Sequence, residues 1–181
     1  MVKGLMTDHV LEAAIRTVPD FPKKGIMFRD ITTLLKDRSA LHRSIDLLYH
    51  HYKEQRIDKV VGIESRGFIC GAALADRLGA GFVPIRKPGK LPAETIRQEY
   101  QLEYGSDAIE IHRDAIVKGE RVLLHDDLLA TGGTIQAACK LVEELGGNIA
   151  GLSFLIELSF LKPRARLAGY DIFSLVTYDS E

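Results

Sequence analysis

Arg121-Val122-Leu123-Leu124-His125-Asp126-Asp127-Leu128-Leu129-Ala130-Thr131-Gly132-Gly133-Thr134 passes from a short apolar run, through two adjacent carboxylates, to a Thr-Gly-Gly-Thr step that opens a helix-forming stretch ending near Leu145. The run from Arg121 to His125 has the pattern of a strand buried on both faces. In open α/β sheets, ligands bind at the carboxyl ends of strands, which is where Asp126 and Asp127 then fall. Paired carboxylates at such a place suit ribose hydroxyls, or a hydrated Mg²⁺ shared with substrate phosphates. Gly132 and Gly133 let successive backbone N–H groups turn inward, the helix N-terminus adds positive potential, and Thr131 and Thr134 supply hydroxyls. Together they form an anion cradle sized for one phosphate. Either half alone reads as an acidic turn or a Thr-capped helix; the joined pattern is far more restrictive.

Working outward, Lys59 to Ile63 is a second short apolar run, followed by a small-residue helix from Gly67 to Leu78 that Gly79 closes, and by a strand from Gly81 to Ile85. Beyond the central stretch, a helix over Thr134 to Leu145 ends at Gly146-Gly147. Strands over about Ile149 to Ile156 and Asp171 to Val176 flank a short helix near Lys162 to Leu167. Towards the N-terminus, Val10, Leu11, Ala14, Ile15 and Val18 recur at helical spacing, with Thr7 or Asp8 as cap and Pro19 as stop. Asp20 to Gly25 is a turn, and a second helix over Ser39 to Glu54 places Leu41, Ile45, Leu48 and Tyr52 on one face. Strands alternating with helices predict an α/β fold, a mainly parallel sheet with helices on both faces. Lys87 to Asp107 breaks the alternation: it is rich in Pro, Gly, charge and Tyr, and longer than an ordinary connection. Its second half, Tyr100 to Tyr104 and then Ala108 to Ile111, alternates like a hairpin around Gly105-Ser106. Such a loop and flap suggest a lid.

The 181 residues, 46% apolar and 27% charged, are enough for one domain spanning the chain. The 24 basic and 25 acidic residues nearly cancel, so no overall charge draws the chain to nucleic acid or an anionic membrane. Cys70 and Cys139 lie in apolar helical runs without partners at metal-ligand spacing and read as buried thiols. No apolar stretch has the length of a membrane span, and the N-terminus carries acidic residues where a signal peptide would be apolar, so a cytoplasmic location is expected. His50 and His51 are adjacent on a helix, point about 100° apart and suit a solvated surface rather than a shared ion. P-loop and dinucleotide-binding motifs are absent from the sequence. What fits is a site for a sugar carrying a 5′-phosphate.

Leu123 to Thr134 resembles the phosphoribosyl pyrophosphate signature of type I phosphoribosyltransferases, and Leu128-Leu129-Ala130-Thr131-Gly132-Gly133-Thr134 is its adenine-type version. Asp20-Phe21-Pro22, Gly25-Ile26-Met27-Phe28-Arg29-Asp30-Ile31-Thr32, Glu64-Ser65-Arg66-Gly67-Phe68, Ile85-Arg86-Lys87-Pro88-Gly89-Lys90-Leu91-Pro92, Leu102-Glu103-Tyr104-Gly105 and Glu157-Leu158 are similar to the adenine-specific members in the family's order. The resemblance implies a type I phosphoribosyltransferase fold with an N-terminal hood over about residues 18–36 and a flexible antiparallel lid over about 87–112. It implies transfer of phosphoribose from 5-phosphoribosyl 1-pyrophosphate to N9 of adenine, giving AMP and pyrophosphate with Mg²⁺, in purine salvage.

By position, the resemblance gives Asp126 and Asp127 to the ribose hydroxyls and Ala130, Thr131, Gly132, Gly133 and Thr134 to the 5′-phosphate. Arg66, after a Glu64–Ser65 peptide often cis in relatives, would face the pyrophosphate with Lys87, Lys90 and Tyr104. Glu103 would steady the ribose cation or take the purine proton. Met27 backbone groups would read the adenine edge, Phe28 would stack on one face, Leu158 would cover the other, and Arg29 would lie near the imidazole side. Mg²⁺ would have no direct protein cage; substrate and water would hold it, with Asp126 or Asp127 as possible contacts. A homodimer is implied, with Arg86 near the partner. Two departures stand out. Met27 is bulkier than the usual small aliphatic, and His125 replaces an apolar residue, as a tolerated strand residue or through a pH-sensitive contact to Asp126. The acid-pair signature alone leaves open another base (guanine, hypoxanthine or orotate). A regulator responding to phosphoribosyl pyrophosphate is the other alternative, though such a protein usually carries a DNA-binding domain or a basic face.

Overall fold

The computed structural model describes residues 7–101 and 105–181. The Asp8 carboxylate accepts the backbone N–H groups of Val10 and Leu11, so α1 (His9–Ala14) starts where the cap is expected. It stops earlier than the spacing predicts. Arg16–Val18 forms strand β1, antiparallel to β2 (Phe28–Asp30), with Arg16 opposite Asp30. Thr17 and Val18 are β-branched and favour extended backbone, but the partner that decides the matter lies beyond the turn, out of reach of local periodicity. A short helix α2 (Thr32–Lys36) follows, which no sequence pattern announces. Asp30 ties the pieces together: Arg16 bonds its carboxylate, and the Thr32 N–H and hydroxyl donate to it at 2.9 and 2.8 Å. These bonds, Arg16's first, hold the Asp30 carboxyl at about 2.

Asp37 caps α3 (Arg38–Tyr52) through the Ala40 N–H. The buried stripe is Ala40, Ser44, Leu48 and Tyr52, so the helix is turned slightly from the predicted face, leaving Leu41 and Ile45 half-buried. β3 (Lys59–Ile63), α4 (Gly67–Leu78) and β4 (Gly81–Ile85) lie at their predicted bounds, and Gly79 closes α4 in the left-handed conformation, φ 67°. β5 (Thr95–Gln101) and β6 (Ser106–His112) pair antiparallel, with Gln101 opposite Ser106. β7 (Arg121–Leu129), α5 (Gly133–Glu144), β8 (Asn148–Leu158) and β9 (Ile172–Tyr178) complete the chain. Two 3₁₀ turns, Ser159–Leu161 and Pro163–Leu167, replace the predicted short helix.

Five strands form one parallel sheet in the order β4-β3-β7-β8-β9. Alternate side chains serve opposite faces. Val61, Val122, Leu124, Leu152 and Phe154 pack with α5 and the β5-β6 hairpin, while Val60, Leu123, Leu155 and Val176 pack with α1, α3 and α4. The chain runs outward from β3 to β4, then returns to place β7 on β3's other side, so the strand order reverses between β3 and β7. Crevices at such reversals are where α/β sheets bind ligands. Cys70 and Cys139 are buried thiols whose pKa burial pushes up to about 12. No helix among the described residues is long and apolar enough to cross a membrane. His50 and His51 are both exposed, and one face of the His51 ring stacks on Phe173 with ring centroids 3.8 Å apart.

His125 on β7 has no solvent exposure, and its Nδ1 lies 2.8 Å from the Ser153 Oγ on β8. It meets Ser153 rather than Asp126. Burial lowers its pKa to about 4, and its Nε2 has no hydrogen-bond partner. The folded-state value lies below the ordinary one, so the stability that neutral His125 contributes is complete above the ordinary value and is lost as pH falls towards 4. Between pH 7 and pH 5 this amounts to about 2 kcal/mol. Urea unfolding of the native chain and of His125→Leu at both pH values is expected to show a smaller loss in the variant; equal losses would remove His125 as the cause.

Candidate functional site

The cradle sits at the carboxyl end of β7. The strand does not stop before the acid pair: its ladder with β8 continues through Asp126 opposite Phe154, Leu128 opposite Ile156 and Leu129 opposite Glu157. This satisfies the backbone around the carboxylates, and holds them more rigidly than a turn would. Asp126 and Leu128 to Ile135 line a recess of about 70 Å³. Gly132 takes φ 84°, and a Cβ there would come within 3.3 Å of the Pro163 carbonyl oxygen, so both conformation and space require glycine. From there α5 begins, with its first N–H groups at the recess.

The start of α4 comes close to the acid pair, because a Cβ on Gly67 would stand 3.0 Å from both Asp126 Oδ1 and the His125 carbonyl oxygen. That approach brings the preceding Arg66 into place: its Nε lies 2.9 Å from Asp127 Oδ2, and its guanidinium carbon lies 5.4 Å from the centre of the Phe28 ring. The Glu64–Ser65 peptide just before it is cis. Burial, followed by the charge of Asp127, pushes the Asp126 carboxyl well above the usual carboxylate range. Burial also raises Asp127 against the pull of Arg66.

Beside the recess is a cavity of about 320 Å³, bordered by Ile26, Met27, Phe28 and Arg29 on one side and by Leu128, Leu158, Phe160, Leu161 and Glu181 on the other. Ala130 and Thr131 line both spaces, as does Leu128. Phe21 meets Phe28 edge-on, with centroids 5.1 Å apart. Arg29 borders the cavity, but its guanidinium lies 3.9 Å over the Tyr178 ring and donates to the Thr17 hydroxyl at 2.5 Å. Sequence reasoning missed Phe160, Leu161 and Glu181. They lie in and after the 3₁₀ turns, where no period marks an inward face.

Lys87 forms an ion pair with Asp107, and its backbone N–H donates to Glu64 Oε2 at 2.9 Å. Glu64 also accepts from Arg86, at 3.2 and 3.0 Å, and Arg86 in turn donates to the Lys90 carbonyl at 3.2 Å. Lys87 and Lys90 thus stand just beyond β4, on a loop braced to the end of β3. Glu103 and Tyr104 lie outside the described residues, while Gln101, next to that segment, has its carbonyl oxygen 3.4 Å from where a Gly133 Cβ would be. Among the described residues, no three His, Cys, Asp or Glu side chains gather as a metal cage.

Raised carboxyl pKa values have a stability consequence opposite to that of His125. The folded state holds its proton longer than the unfolded chain does, so the pair's contribution to stability falls as pH rises above the ordinary carboxylate range. Asp126→Asn is therefore expected to raise the melting temperature at pH 7.5, by a few degrees, and by less at pH 5. Scanning calorimetry at the two pH values checks this; a variant less stable than the native chain at pH 7.5 would contradict it.

A family model, the phosphoribosyl transferase domain, matches residues 30–171. An adenine phosphoribosyltransferase from Acidobacterium capsulatum is 62% identical over 168 residues, which is 93% of each chain. The crystal structure of adenine phosphoribosyltransferase from Thermoanaerobacter pseudethanolicus superposes with a TM-score of 0.91 at 55% identity, over 94% of this chain and 99% of that one. The Saccharomyces cerevisiae enzyme, crystallised with an imino-altritol bisphosphate and adenine, gives a TM-score of 0.89 at 42% identity, over 93% and 97% of the two chains. The fold agrees with these likenesses, and the chain belongs to the adenine phosphoribosyltransferase family of type I phosphoribosyltransferases.

Proposed function

We propose that this chain joins adenine to phosphoribose: the C1′–O bond to pyrophosphate breaks, a C1′–N9 bond forms, N9 loses its proton, and AMP and pyrophosphate leave. The observation that carries this is the wall shared by the two spaces. Leu128, Ala130 and Thr131 border both the phosphate-sized recess and the larger, mostly apolar cavity, so one nucleoside monophosphate can lie across them. The yeast relative's structure, with adenine bound, supports the choice of base.

In this reading Ala130, Thr131, Gly132, Gly133 and Thr134 hold the 5′-phosphate, and Asp126 and Asp127 accept bonds from the ribose hydroxyls. Those donors would relieve the mutual repulsion of the buried carboxylates. Arg66, held between Asp127 and Phe28, faces the leaving pyrophosphate with Lys87, Lys90 and Tyr104. The donors present fit Mg²⁺ carried in by the substrate: Asp126 borders the recess, and Asp127 beside it is already engaged by Arg66, so the pair builds no cage. Held through substrate and water, with Asp126 or Asp127 as a contact, Mg²⁺ would supply positive charge to the pyrophosphate. Met27 backbone groups on the hood present a fixed donor and acceptor to the base edge, an arrangement that leaves a 6-oxo purine with unpaired groups. Phe28 stacks on one face and Leu158 covers the other, while Arg29 frames the imidazole side through its backbone, because its guanidinium is engaged elsewhere. Glu103, two residues beyond the anchored Gln101, takes the purine proton or steadies the ribose cation, and the lid excludes water from the activated sugar.

The same reading makes the protein a cytoplasmic homodimer. Two free, buried thiols suit a reducing compartment, and Ile69, 46% exposed on α4, offers an apolar contact. Sedimentation equilibrium is expected to give twice the chain mass; a monomer at micromolar concentration would remove the dimer. Incubation with phosphoribosyl pyrophosphate, Mg²⁺ and each nucleobase in turn is expected to yield AMP from adenine and no nucleotide from the others, as separated by chromatography. If no base gives a nucleotide, the reading is wrong. Glu103→Gln should lower turnover by about 10²-fold or more with much less effect on phosphoribosyl pyrophosphate binding, and near-normal turnover would take Glu103 off the catalytic list.

A further inference from the structure

Asp107 opens no cavity and belongs to none of the motifs that resemble the family, yet it stands at the junction of the loop and the hairpin. Its carboxylate forms an ion pair with the Lys87 ammonium, accepts the Tyr100 hydroxyl at 3.2 Å and accepts the Ala108 backbone N–H at 2.8 Å. The Tyr100 ring in turn lies 3.7 Å from where a Gly133 Cβ would stand, at the start of α5. A chain of contacts therefore runs from Lys87 through Asp107 and Tyr100 to Gly133 in the cradle.

We propose that Asp107 is a positioning residue for phosphoribosyl pyrophosphate, setting Lys87 and Tyr100 so that the two phosphate ends of the substrate meet prearranged partners. This rests on the reading above, in which Lys87 meets the pyrophosphate. Three features favour positioning over competition with substrate. The Lys87 side chain is still 50% exposed, so an ammonium with three donors can keep Asp107 and reach an anion as well. The carboxylate is itself fixed, because its other oxygen is tied to the Ala108 N–H at the start of the strand. A free lysine on a loop carries large rotamer freedom that must be lost on binding, and a fixed carboxylate removes part of that loss before substrate arrives. Lys87 holds the Asp107 carboxyl below the usual carboxylate range, so the partner stays ionised throughout the range in which such an enzyme is assayed.

The test is a double-mutant cycle on the full chain, using Asp107→Asn, Lys87→Met and the pair, with phosphoribosyl pyrophosphate and adenine varied separately. Asp107→Asn is expected to raise KM for phosphoribosyl pyrophosphate about threefold to tenfold, with kcat and KM for adenine nearly unchanged. In the Lys87→Met background, the same substitution is expected to have a much smaller effect. A merely structural role would lower the melting temperature and raise both KM values together, without this split and without dependence on Lys87. If Lys87→Met weakens phosphoribosyl pyrophosphate binding while Asp107→Asn leaves KM unchanged or lowers it, positioning by Asp107 is wrong and the reading of Lys87 stands. If Lys87→Met itself has no effect on that KM, the reading of Lys87 fails and the proposal falls with it. Equal effects of Asp107→Asn in both backgrounds overturn it as well.

Discussion

Two neighbouring carboxylates are carried inside a strand that is hydrogen-bonded to β8 on one side and flanked by β3 on the other, with Gly67 pressed to within contact of one of them. Burial of that charge is unfavourable in the ligand-free chain, and much of the local architecture can be traced to it. Arg66 is drawn over Asp127 because α4 begins there, and α4 can begin there because Gly67 has no side chain. Phe28 then gains a cation near its ring, which connects the hood to the phosphate end of the cleft. A helix one turn further away would leave the acid pair without its cation and the hood without that link.

The hood shows a second dependence. β1 and β2 are only three residues each, too short for a stable hairpin on their own, and they are held by side chains. Arg16 grips Asp30 from the facing strand, and Arg29 spans from Thr17 to the face of Tyr178 on β9. The cavity wall is therefore braced across its own hairpin and tied to the last strand of the sheet, which holds it in place beside the recess.

The parallel sheet was legible from continuous apolar runs at Lys59–Ile63 and Arg121–His125, because strands buried on both faces have no polar alternation to obscure them. The cradle was legible because its demands are local: glycine at a left-handed position, hydroxyls beside a helix start. β1 was not, since Val10 to Val18 carries a helical spacing that its antiparallel partner overrides after Ala14. Phe160 and Leu161 were hidden for a related reason. Their inward position comes from two successive 3₁₀ turns and the left-handed Lys162 between them, φ 53°, which no repeat in the sequence encodes. Asp107 was legible as a hairpin residue, but its three-way contact depends on how the loop after β4 folds back.

Leu128, Ala130 and Thr131 border the recess and the larger cavity at once. A lineage or a designer seeking a different base has therefore to work around that wall. Changes there would reach both spaces, whereas Ile26 and Met27 on one side, and Leu158, Phe160 and Leu161 on the other, border the larger cavity alone. Substrate preference in this architecture is free to drift at those positions and constrained on the shared wall, so they are where diversity among related chains should collect.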